Sequence, residues 1–163
     1  MTDRTAWILG TGSRTMTDGA LVHGAVTDAW TRARQQGFTR LIVVHGAARG
    51  ADALFSSWCR GYRLQPVEER RFPADWSAPC GPGCGRGHRR LRSSGGDYCP
   101  AEGSNRNGRM VLHIRQHAEP GSVLVIAAYD KQVSAGTDDC VRRAVRAGLP
   151  VRRVGVQATE PDR

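Results

Sequence analysis

A chain of 163 residues, 39% of them hydrophobic, is long enough to bury one substantial core without disulfide support. Its formal net charge of +9 raises nucleic acid as a partner, but the basic residues are spread along the chain and form no single run, which places nucleic acid second among the expected partners. No stretch approaches membrane-spanning length and the first apolar run is too short for a signal-peptide core, so no membrane partner is expected and a cytoplasmic setting is.

Lys131 is the sole lysine, an arginine bias that reads more simply as a GC-rich coding genome than as a chosen DNA-binding surface. Five cysteines in a reducing compartment do not form a disulfide framework, and an odd count cannot pair completely within one chain. Metal binding or burial has to account for them.

In chain order, Ala6-Trp7-Ile8-Leu9 is a short apolar run ended by Gly10, the pattern of a buried strand. Thr17 or Asp18 then caps a helix reaching about Gln36, with Leu21, Val22, Ala25, Ala29 and Ala33 on its apolar face and Gly37 as its stop. Leu41-Ile42-Val43-Val44 carries no charge and reads as a strand covered on both faces. A second helix, from about Ala51 to Gly61, directs Ala53, Leu54, Trp58 and Cys59 inward, and a weak strand follows from Pro66 to Phe72.

Between Asp75 and Gly103 the composition changes abruptly to Gly, Pro, Arg and three cysteines, which marks an insertion at residues 76–104. Helical periodicity returns with Met110, Val111, Ile114 and His117, and Val123-Leu124-Val125-Ile126 forms the next strand. Gly136-Thr137 opens a helix bearing Val141, Ala144 and Val145, Gly148 closes it, and Pro150 to Val154 is the last strand, followed by a solvated tail. Strand and helix alternate, so the expected fold is α/β and Rossmann-like, three layers around a mostly parallel sheet.

Four small-residue turns fall where such a sheet carries its ligand. Gly10 and Gly12 allow backbone to approach a phosphate, while Ser13 and Arg14 offer a hydroxyl and a planar fork of donors. Gly46 and Gly50 permit tight approach at a helix start, where Asp52 is either a cap or a ribose ligand, with the structural use ranked first. Arg106 and Asn107 are read as donors at the opening of a helix, facing the same sheet edge as Gly136 and Thr137. The two helix starts together point to a phosphate-bearing small molecule.

The motifs Gly12-Ser13-Arg14, Gly46 to Asp52, Phe72-Pro73-Ala74-Asp75-Trp76, Arg106-Asn107-Gly108-Arg109-Met110 and Gly136-Thr137, in that order, resemble the SLOG superfamily, particularly its YspA-related branch. This Rossmann-like group includes the Lonely Guy phosphoribohydrolases and the DNA-processing protein DprA. The resemblance covers residues 6–154 and implies a single domain over 1–163 with a pocket for a nucleotide or nucleotide-derived ligand. In the Lonely Guy enzymes a catalytic glutamate stands three residues after the Gly-Thr turn, whereas here that position is Cys140. Asn107 likewise replaces a lysine that follows the arginine in those enzymes.

Cys80, Cys84, His88 and Cys99 supply three thiolates and an imidazole in a segment too poor in aliphatics to fold by itself, which fits structural zinc. A disordered loop with reactive thiols and a catalytic metal are the other readings. Cys59 and Cys140 fall on helices and read as small buried residues, although a helix N-terminus could activate Cys140 as a nucleophile. Among the histidines, His45 at a strand's carboxyl end is the one to test.

The leading expectation is a nucleotide-binding or sensing domain in which Arg106 contacts the ligand and is dispensable for folding. The alternative is an N-glycosidase of the same fold, with Asp138 or Asp139 stabilising an oxocarbenium-like centre or activating water. A third is a single-stranded nucleic-acid binder using the arginine-rich insertion with Trp76 or Tyr98 as stacking surfaces. Self-association, as a homo-oligomer, is left open by the sequence.

Overall fold

The computed structural model describes residues 3–62, 66–131 and 134–156, and the expected solvated tail beyond Val156 lies outside the described residues. β1 (Thr5–Gly12), β2 (Arg40–His45), β3 (Val67–Arg71), β6 (Val123–Tyr129) and β7 (Val151–Gly155) form one sheet in the order β3-β2-β1-β6-β7. Every pairing in it is parallel. The predominantly apolar strands β1, β2 and β6 occupy the interior, whereas the charged sequences VEERR and VRRVG take the two edges, where water can reach their side chains.

Four helices cover the sheet: α1 (Gly19–Gln35), α2 (Ala51–Gly61), α3 (Glu102–His117) and α4 (Ala135–Arg146). Side chains alternate along a strand, so Ala6 and Ile8 of β1 join the core under α1 and α2 while Trp7 and Leu9 join the core under α3 and α4. The architecture is the three-layer Rossmann-like α/β arrangement. Asp18 caps α1 by accepting from the Leu21 N–H at 2.9 Å, as its position predicted.

Several inward-facing positions differ from the periodicity reading. Ala53 and Val145 are exposed, and Phe55, Val26 and Trp30 are buried in their helices' place. A Cβ on Gly10 would lie 2.6 Å from the Phe55 ring, and one on Gly12 would lie 2.5 Å from Cβ of Ala51. The glycines that read as phosphate-approach residues thus let α2 pack directly on β1.

The insertion lies between β3 and α3 and contains a short antiparallel hairpin, β4 (Arg90–Leu91) with β5 (Asp97–Tyr98). Its C-terminal limit is earlier than the composition indicated. α3 starts at Glu102, with that residue's N–H bonded to Cys99 O at 3.2 Å, so Arg106 and Asn107 occupy its second turn and do not open it.

Candidate functional site

The strand order reverses between β1 and β6, and a crevice opens at the carboxyl ends of these two strands, the position where open α/β sheets take ligands. It is a cavity of about 540 Å³. Thr11 to Thr15, the end of β1 and the loop after it, form one wall and Ser134 to Thr137 at the start of α4 form another; Trp76, Pro100, Gly103 and Ser104 come from the insertion and the beginning of α3. Thr15 donates to the Asp130 carboxylate and Asp130 N–H donates to Ser13 Oγ at 3.3 Å, which ties together the loops after β1 and β6.

The cavity brings together Gly12, Ser13, Arg14, Asp52, Arg106, Asn107, Gly136, Thr137 and Asp139. Gly10, Gly46, Gly50 and Asp138 do not line it. Gly136 lies open, with no heavy atom within 4 Å of where a Cβ would stand, and the first N–H groups of α4 have no acceptor within the helix. Arg14 is exposed at the mouth, its guanidinium 5.7 Å from the Trp76 ring centroid.

The loop between β2 and α2 is organised around itself. Asp52, only 7% exposed, accepts the Ala48 N–H at 3.1 Å and is also bonded by the Gly46 N–H. His45 is wholly buried, with Nδ1 accepting the Ala47 N–H at 3.1 Å and Nε2 facing Glu69 Oε1 at 2.8 Å. Ala47 takes a left-handed φ of 55° to make that turn, a conformation that is costly for a residue with a Cβ. Three consecutive amides that could have cradled a phosphate are therefore already committed, and burial raises the Asp52 pKa against the pull of the Ala48 bond.

Arg106 completes this loop. Its Nη1 donates to Gly46 O and to Phe72 O, the latter at 3.3 Å, and its Nε donates to Asn107 Oδ1 at 3.1 Å. The side chain is buried, and a Cβ on Gly46 would coincide with the guanidinium, which explains a glycine there. Burial pushes the guanidinium below its ordinary value while the Asp52 charge pulls it back. Arg106 is thus placed as a strut joining α3 to the ends of β2 and β3, an arrangement that argues against the expectation that it is dispensable for folding.

Asn107 Nδ2 donates to Gly136 O at 3.1 Å and to Asp139 Oδ2 at 3.0 Å, locking α3 to α4. Asp139 Oδ2 also accepts from Ser104 Oγ and from Arg143 Nε. Burial would raise the Asp139 pKa, but the bonds from Asn107 and Arg143 outweigh it and hold the carboxylate below its usual range. Asp138 accepts from the Tyr129 hydroxyl at 3.0 Å, away from the cavity. Cys140 has no exposed surface, and burial raises its thiol to about 11, opposite to the activation that a helix N-terminus would give.

In the insertion, the ligand atoms of Cys80, Cys84, His88 and Cys99 all lie within 4.8 Å of one another, a group that could hold a metal ion. Cys84 Sγ is 3.7 Å from Cys99 Sγ, and His88 Nε2 is 3.3 Å from Cys80 Sγ and 3.0 Å from Cys99 Sγ. Metal–sulfur and metal–nitrogen bonds of about 2.3 and 2.0 Å set tetrahedral edges of roughly 3.5–3.8 Å; the Cys84–Cys99 separation falls in that range and the two from His88 are shorter. His88 Nδ1 sits 2.7 Å from Gly85 O; donating a proton there, it leaves the Nε2 lone pair directed at the sulfurs.

Sequence reading assigned no site role to Thr11, Thr15, Ser104 and Ser134, which also line the cavity. Trp76 belonged to a recognised motif, but its place in the cavity wall depends on how the insertion folds back. Among the described residues no helix is long and apolar enough to cross a membrane.

No family model matches the chain. It is 32% identical over 150 residues to the Gene 61 protein of Mycobacterium phage D29, an alignment that takes in 91% of this chain and 95% of that relative. With a shared identity of that level across nearly the whole of both sequences, the chain belongs to the family of the phage Gene 61 protein.

Proposed function

We propose that the crevice between β1 and β6 binds a nucleotide or nucleotide-derived small molecule and that the protein acts as a sensor or binding domain. The observation that carries this reading is the 540 Å³ cavity at the point of strand reversal, with Arg14 at its mouth and the open first turn of α4 in its wall. A phosphate fits there because uncommitted N–H groups, a helix dipole and a guanidinium converge. The committed amides of the loop before α2 favour the α4 side of the crevice for the phosphate. Membership of the SLOG superfamily and a cytoplasmic setting are parts of the same reading.

Binding without cleavage is favoured over an N-glycosidase. Asp139 is occupied by three donors, Asp138 faces Tyr129, and Cys140 is sealed in the core. None is arranged as a free base beside the open part of the cavity. The Cys3His group is assigned to structural zinc, because its donors match that ion's preferences and the surrounding segment has little apolar core.

Calorimetry with nucleoside monophosphates, paired with chromatography of overnight incubations, tests the reading. Wild-type protein is expected to bind at least one of them without releasing free base, and Arg14→Ala to weaken that binding by about 1.5–3 kcal/mol with the fold intact. Free base formed by wild type and abolished by Asp139→Asn would move the enzyme reading to first place. Failure of every nucleotide to bind would refute the ligand class.

A further inference from the structure

The insertion does more than stand beside the cavity. Trp76, its first aromatic residue, lines the crevice together with Pro100 and Gly103, in a wall otherwise made largely of small and polar side chains. The ring is half-buried, and a Cβ on Gly103 would stand 3.1 Å from Cη2 of the indole, so the glycine at the start of α3 provides the seat for the ring. Tyr98 meets the indole edge-on at 6.3 Å.

The backbone around Trp76 is held from both sides. The Asp75 N–H donates to the Glu102 carboxylate at 3.2 Å, and Trp76 O accepts the N–H of Cys99 at 3.0 Å. Cys99 is one of the four metal-ligand candidates. Arg89 adds a second tie, donating to Ala78 O at 2.9 Å and to Cys80 Sγ at 3.4 Å. The four ligand residues are thus linked to the turn that carries Trp76 through the Cys99 backbone and the Arg89 side chain.

We propose that Trp76 is the stacking surface for a planar ring of the cavity's ligand, and that metal held by Cys80, Cys84, His88 and Cys99 sets the position of that surface. This rests on the cavity being a nucleotide-type site. An indole face is suited to a nucleobase of any identity, since every base presents a π-face. The phosphate end is then held on the α4 side and the ring end against the insertion, and the Arg14 guanidinium, which lies over the indole 5.7 Å from its centroid, swings off that ring toward the phosphate as the base enters. Metal loss frees the Cys99 tether and loosens the ring subsite while leaving the phosphate subsite in place.

The test compares AMP with ribose 5-phosphate, which shares the phosphate and sugar but lacks the ring, by calorimetry on the full chain. Wild type loaded with zinc is expected to bind AMP more tightly by roughly 5- to 140-fold, the range for one base on one aromatic ring. Trp76→Ala removes that preference without changing ribose 5-phosphate affinity, and Trp76→Phe retains most of it. Wild type stripped with a chelator behaves like Trp76→Ala, and stripping Trp76→Ala changes the ratio no further.

Equal affinity of wild type for the two probes overturns the stacking role, and an unchanged ratio after stripping overturns the metal link. Both leave the phosphate-binding cavity standing. Failure of ribose 5-phosphate and AMP alike to bind wild type overturns this proposal, and failure of the remaining nucleoside monophosphates as well overturns the cavity reading itself.

Discussion

Replacing Arg106 with alanine removes a guanidinium that donates to Gly46 O, Phe72 O and Asn107 Oδ1 in a buried setting. A hydrogen bond to a charged group is worth about 1.5–3 kcal/mol, and each buried partner left unpaired costs about 1–3 kcal/mol. The variant also leaves the buried Asp52 carboxylate without its neighbouring cation. Against these losses stands the desolvation cost that wild type bears for burying the guanidinium, several kcal/mol before its bonds are counted. The net expected loss is about 2–4 kcal/mol, a large share of the roughly 5–15 kcal/mol that stabilises a typical domain.

Urea unfolding of ligand-free protein measures it as a lower midpoint at unchanged slope. Gly46→Ala provides the internal control, because its methyl would enter the guanidinium's space and destabilise by about 1–3 kcal/mol through overpacking. Once Arg106 is alanine that space is vacant. The double variant should therefore lose less than the sum of the singles by about 1 kcal/mol or more. An Arg106→Ala midpoint within about 0.5 kcal/mol of wild type, or strict additivity in the double variant, would refute the strut and return Arg106 to ligand binding.

Cys140→Glu, which the resemblance to the phosphoribohydrolases makes attractive, should fail structurally, since Cys140 has no exposed surface and a carboxylate there costs several kcal/mol; a variant as stable as wild type in thermal unfolding contradicts this packing. Purified protein should carry about one zinc per chain by elemental analysis, and chelation should raise hydrogen exchange over the insertion while sparing β1 and β6; metal-free protein with an equally protected insertion counts against the site. Asp139, held below its ordinary value of 3.8, contributes stability above that pH and loses it as pH falls through the folded value. Asp139→Asn should accordingly be less stable by about 1–2 kcal/mol at pH 7, with the gap to wild type narrowing below pH 4, and a gap independent of pH would show that the charge is not what matters.

The fold was legible because its signals are local. Charge-free runs at Trp7–Leu9, Leu41–Val44 and Val123–Ile126 can be satisfied only in strands covered on both faces, and Asp18 and Gly37 mark a helix through the chemistry of a few neighbouring residues. The same holds for Cys80, Cys84, His88 and Cys99, whose residue types define a metal set at short range. Helix faces were less legible. Phe55 was passed over for Ala53 because a short helix offers too few turns to fix its apolar direction, and only contact with Gly10 decides it.

The sequence by itself determined that small-residue turns would gather at the carboxyl ends of parallel strands, because alternating strands and helices leave those turns nowhere else to lie. It could not determine which of them stay open. Whether a glycine-rich loop offers its amides outward depends on side chains distant along the chain. Here Asp52 and His45 turn the loop before α2 inward, and Arg106 crosses from α3 to fill the space beside Gly46. Trp76 reaches the cavity only because the insertion folds back through Cys99. Hydrogen-bond partners of this kind are chosen by three-dimensional proximity, and that is the information the tertiary structure adds.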